Sequence, residues 1–103
     1  MYTLSKDEQG HLLLSGVLNY GVLPDIYQAA QPLLPQEGTF TVDLKGVTYS
    51  NSAGLALLLE WARWAREKQL PFCIENFPSQ LFAMARLMGV SALLQCGGNK
   101  EPI

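Results

Sequence analysis

The chain has 103 residues, of which 49% are hydrophobic and 16% charged, and this length suits one compact domain. Seven basic residues against nine acidic ones give a formal charge of −2 at pH 7, so no strongly basic face is expected to bind nucleic acid through its phosphates. The low charge density leaves more apolar surface than a small core readily hides, which favours a protein that binds a partner.

The first half of the chain predicts two strands, a broken helix and a third strand. Short apolar segments at residues 2–5 and 11–17 flank a polar turn that ends in glycine, which indicates a hairpin. Apolar residues recur at helical spacing over residues 24–34, and Pro32 predicts a kink or an end within this helix. Residues 39–44 alternate between apolar and polar side chains, as a strand does.

The second half predicts two more helices and two short strands. Polar residues that can cap a helix precede a long helical pattern from about residue 52 to about residue 69. A short strand follows at 71–75, and a helix runs from residue 79 to residue 88 before a glycine. We expect a last strand at 92–95 and a frayed tail at 96–103.

This order of elements predicts an α/β fold in a single domain over residues 1–103. Helical crossovers between strands imply a mostly parallel mixed sheet with the helices packed on one face. The N-terminal segment lacks the apolar run of a signal peptide. The most apolar stretch, residues 53–59, is too short to cross a bilayer, so we expect a cytoplasmic protein without direct membrane insertion.

The sequence offers little for catalysis, metal binding or cofactor binding. Two cysteines and one histidine cannot supply the four ligands of a structural zinc site. The glycines at 97–98 lack the spacing of a phosphate-binding loop. A small enzyme built on His11 or Cys96 would need a second catalytic group, and none can be named. We therefore expect a protein that is not an enzyme and that holds neither a metal nor a cofactor.

The long helix has two apolar faces. One is suited to pack on the sheet and carries Leu55, Leu58, Leu59, Ala62 and Ala65. Leu57, Trp61 and Trp64 form a second stripe on nearly the opposite side. Two interpretations are open, because this stripe can be a partner surface or can be covered by the neighbouring helices.

A short motif at the start of the long helix carries a family resemblance. A strand ending in Asp43-Leu44 is followed by a loop and then by Asn51-Ser52-Ala53-Gly54-Leu55. This pattern resembles the STAS domain, the fold shared by anti-sigma-factor antagonists and the cytosolic tails of sulfate transporters. Within that family the chain looks most like the small cytosolic (MlaB-like) subunit of Mla-type phospholipid ABC transporters.

The resemblance implies a non-enzymatic accessory subunit that binds the cytosolic ATPase of such a transporter, in complex with its permease. It would lie at the cytoplasmic face of the inner membrane of a Gram-negative bacterium and support phospholipid transport and outer-membrane lipid asymmetry. Ser52 would be the central contact, and Gly54 would let the partner approach closely. The predicted partner-binding residues are Asn51, Ser52, Ala53, Gly54, Leu57 and Trp61.

The same resemblance implies an alternative function. An anti-sigma-factor antagonist would bind a kinase-type anti-sigma factor through unphosphorylated Ser52 and release it when Ser52 is phosphorylated. Those antagonists usually carry Asp before the phosphorylated serine, whereas this chain carries Asn51. A phosphate at Ser52 would add a charge of about −1.5 to −2 beside the positive end of a helix dipole.

Overall fold

The computed structural model describes residues 1–94 and shows one four-stranded sheet with three α-helices. The predicted tail at 96–103 lies outside these residues. In chain order the elements are β1 (Tyr2–Lys6), β2 (Leu12–Leu18), α1 (Leu23–Ala30), β3 (Phe40–Ser50), α2 (Ser52–Glu67), β4 (Phe72–Glu75) and α3 (Ser79–Leu87). Short 3₁₀ turns follow α1 at Gln31–Leu33 and α3 at Ser91–Leu94.

The strands lie side by side in the order β1-β2-β3-β4. The β1–β2 hairpin is antiparallel, whereas β2 pairs with β3 and β3 with β4 in parallel. The predicted fold class is therefore confirmed. Since β2 and β3 run in the same direction, the loops that follow Leu18 and Ser50 leave the sheet at the same edge.

One face of the sheet forms the core with the helices. Its buried apolar side chains pack in one cluster with buried residues of all three helices, and they are Leu12, Leu14, Leu18, Phe40, Val42, Leu44 and Phe72. Successive side chains of a strand point to opposite faces, so the other face carries polar residues such as Thr3, Asp43 and Glu75. The alternation in β3 is thus the signature of a sheet covered by helices on one face.

The structure corrects two element boundaries and confirms a break. β3 continues to Ser50, six residues past its predicted end, because two register shifts keep it paired with β2. The segment predicted as a last strand is a 3₁₀ turn at Ser91–Leu94, after which residue 95 is not described. The first helix ends at Ala30 and gives way to a 3₁₀ turn that contains Pro32, as predicted.

Candidate functional site

The predicted site lies where two loops meet at the carboxyl edge of the sheet. Ser50 ends β3, Ser52 begins α2, and the backbone N–H of Asn51 donates a hydrogen bond of 3.4 Å to the carbonyl of Leu18 at the end of β2. The loop after β2 is thereby held beside the first turn of α2.

Asn51 caps α2, as the sequence predicts. Its backbone is extended, with φ −100°, and its side-chain oxygen accepts the N–H of Ala53 at 2.8 Å. This hydrogen bond satisfies one of the backbone donors that a helix start leaves unpaired, and such caps typically stabilise a protein by about 1 kcal/mol. Since Asn51 does the capping, the side chain of Ser52 is not needed for it.

Ser52 is exposed and bonds a residue that sequence reasoning missed. Its hydroxyl lies 2.9 Å from the hydroxyl of Tyr20, and one of the two donates to the other. Tyr20 itself is 57% exposed and sits in the loop between β2 and α1. The parallel order of β2 and β3 was the signal that could have found it, because such strands bring their following loops to one edge.

Gly54, which the sequence predicts to let a partner approach, is buried against its own chain. A Cβ atom at this position would lie 2.0 Å from the Oγ of Ser50 and 3.3 Å from Cδ1 of Leu18. The absent side chain therefore lets α2 pack closely against the ends of β2 and β3 within the chain itself. Ala53 is also fully buried, so neither residue offers a side chain to a partner.

Leu57 and Trp61, which the sequence predicts as partner contacts, are core residues of the isolated chain. Leu57 is fully buried and Trp61 is 2% exposed. The Trp61 ring meets Phe40 edge to face, with ring centroids 5.9 Å apart, and the half-buried Trp64 meets the same ring at 5.5 Å. Leu57 and Trp61 are therefore covered rather than exposed, but both tryptophans contact Phe40 of the sheet, whereas the second interpretation expected coverage by the neighbouring helices.

The structure keeps His11 apart from Ser52. The imidazole Nδ1 lies 3.4 Å from a carboxylate oxygen of Asp7 and 3.7 Å from one of Glu75. His11 precedes β2 whereas the α2 start lies past its far end, and seven strand residues span about 23 Å. The structure therefore does not bring a histidine to the Ser52 hydroxyl. Cys96 lies outside the described residues.

Two further properties of residues 1–94 bear on function. Within this part of the chain, no group of three or more His, Cys, Asp and Glu side chains is placed to hold a metal ion. The helices that the structure describes are all too short or too polar to span a bilayer.

The family comparison agrees with the fold and with the motif at the start of α2. Residues 2–95 match the family described as "Mlab, STAS domain". Among curated proteins, none matches this chain. The resemblance drawn from Asn51 to Leu55 is thereby confirmed, and STAS domains are generally non-catalytic.

Proposed function

The chain belongs to the MlaB-like STAS family, and on this premise we propose that it binds the cytosolic ATPase subunit of an Mla-type ABC transporter. It acts there as a non-enzymatic accessory subunit, at the cytoplasmic face of the inner membrane, and supports phospholipid transport and lipid asymmetry. The exposed Ser52 at the start of α2 is the observation that carries the proposal.

The local geometry supports a role for Ser52 in recognition. The helix cap is made by Asn51, and the Ser52 hydroxyl bonds only the exposed hydroxyl of Tyr20 among the contacts of the described chain. A partner can therefore reach the Ser52 side chain without disturbing the core. The residues directly behind it, Ala53 and Gly54, are buried and hold the first turn of α2 against the sheet. This arrangement presents Ser52 on a rigid element, which favours specific binding.

Co-purification tests the proposal directly. The tagged chain is purified from detergent-solubilised membranes of its native host, and the proteins that accompany it are identified by mass spectrometry. We expect an ABC ATPase together with its permease. Their absence from a preparation that retains intact transporter complexes would contradict the proposal.

Ser52→Arg separates recognition from folding. Because Ser52 is exposed, the added bulk and charge should leave the thermal transition nearly unchanged while the ATPase is lost from the purified material. Ser79→Arg is the matched control, since Ser79 is also an exposed serine at the first position of a helix, α3. A folded Ser52→Arg chain that retains the ATPase as well as Ser79→Arg does would exclude Ser52 as the central contact.

The phosphorylation switch remains the second candidate function, because an exposed hydroxyl at a helix N-terminus is a position where phosphate is electrostatically favoured. In that case the same purification would recover a soluble, kinase-like anti-sigma factor rather than a permease complex. Incorporation of phosphate at Ser52 by that partner would then replace the transporter proposal with a role in transcriptional control.

A further inference from the structure

Tyr20 is the exposed aromatic residue that contacts Ser52. The residue is 57% exposed, and its hydroxyl lies 2.9 Å from that of Ser52. Tyrosine is enriched at protein interfaces because it combines a large apolar ring with a polar tip and few rotatable bonds. A tyrosine that is fixed at its tip and exposed along its ring is thus already ordered before a partner binds, which lowers the entropic cost of association.

The chain around Tyr20 and Ser52 is uncharged. Neither residues 12–24 nor residues 46–59 contain Asp, Glu, Lys or Arg, and these are the two segments whose loops meet at the start of α2. The centres of protein interfaces are depleted of charged residues and enriched in tyrosine. Anionic lipid or nucleic acid, by contrast, would be recognised by basic side chains. These surroundings favour an uncharged protein surface as the occupant.

We propose that Tyr20 is a second contact residue for the ATPase. Its ring packs against the partner, and its hydroxyl positions the Ser52 hydroxyl for binding. This inference rests on the proposed function and extends it to a residue outside the STAS motif. Since residues 12–24 and 46–59 carry no charged side chain, the contribution of these two segments to the affinity should depend only weakly on ionic strength.

The chain supplies a matched control in Tyr49. This tyrosine is 56% exposed and lies at the penultimate position of β3. Ser50 beside it faces Gly54 and the helices, so the alternation of the strand turns Tyr49 toward the opposite face of the sheet. The two tyrosines therefore share residue type and exposure, and Tyr20 is the one whose hydroxyl contacts Ser52.

The experiment measures the dissociation constant of the purified chain with the purified ATPase subunit of the host's Mla-type transporter, at low and high salt. We expect Tyr20→Ala to weaken binding by about 10- to 100-fold and Tyr20→Phe, which keeps the ring, by less than about tenfold. Tyr49→Ala should bind like the wild-type chain. The thermal transition of each variant should stay near the wild-type value, because both residues are more than half exposed.

Three results would overturn the inference, and they differ in whether they also contradict the proposed function. If Tyr20→Ala binds like the wild-type chain while Ser52→Arg does not, the role of Tyr20 is wrong and the proposed function stands. If Tyr20→Ala and Tyr49→Ala weaken binding equally, the contact is not specific to the side that Tyr20 occupies. If the wild-type chain does not bind the ATPase at all, the proposed function fails and this inference fails with it.

Discussion

The start of α2 and the Leu57/Trp61 stripe, five and nine residues later, were both predicted to contact a partner, and the structure places the first at the surface and the second in the core. Asn51 and Ser52 lie at the surface, whereas Leu57 and Trp61 are enclosed by the sheet and the neighbouring helices. Polar residues at a helix end are thus better indicators of accessibility here than large apolar residues along its length. The apolar stripe stabilises the fold, whereas Ser52 at the helix start stays accessible.

Trp61→Ala should have the largest effect on stability, because Trp61 belongs to the core. Because Trp61 is 2% exposed and packs on Phe40, truncation leaves a cavity in the core. We expect the free energy of unfolding to fall by about 3–5 kcal/mol, as measured by urea denaturation. Trp64→Ala, at a half-buried ring, should cost less. If Trp61→Ala unfolded with the free energy of the wild-type chain, the ring would not be part of the core.

Gly54→Ala tests whether the glycine serves the fold rather than the partner. The added methyl group would lie 2.0 Å from the Oγ of Ser50, and relaxation of that contact should outweigh the better helix propensity of alanine. We expect a net loss of about 1–2 kcal/mol in the free energy of unfolding. Adding Ser50→Ala removes the clashing oxygen and should recover most of this loss. A double variant that is no more stable than Gly54→Ala alone would place the strain elsewhere.

Variants of Asn51 measure how much the helix cap contributes to stability. Asn51→Ala removes the oxygen that accepts the N–H of Ala53, so the free energy of unfolding should fall by about 1 kcal/mol. Asn51→Asp keeps an acceptor and places a negative charge at the helix N-terminus, so it should be at least as stable as the wild-type chain at neutral pH. Chemical denaturation of both variants measures the difference, and equal stability of all three chains would show that the cap contributes nothing.

The order of the elements could be predicted from the sequence because it depends on local signals. Pro32 breaks the first helix through its missing N–H, and Asn51 caps α2 through a bond to a residue two positions away. The continuation of β3 to Ser50 was missed because it depends on two register shifts against β2 rather than on alternation within the strand.

The candidate site was predicted only in part for a similar reason. The motif residues Asn51 and Ser52 are local to the helix start, but the contact between Ser52 and Tyr20 joins residues 32 positions apart. The periodicity of α2 shows that the helix has two apolar faces and does not show which neighbours cover the second one. The second face is covered by residues distant in sequence, since Phe40 of β3 packs against both tryptophans.

Hydrogen exchange of the chain alone and in complex with the ATPase subunit would locate the binding surface. We expect slower exchange on binding in the loop of residues 19–22 and in the first turn of α2, with little change at the carboxyl end of α3. Protection confined to the end of α3, where Leu87 is 89% exposed, with none at the start of α2, would contradict this expectation.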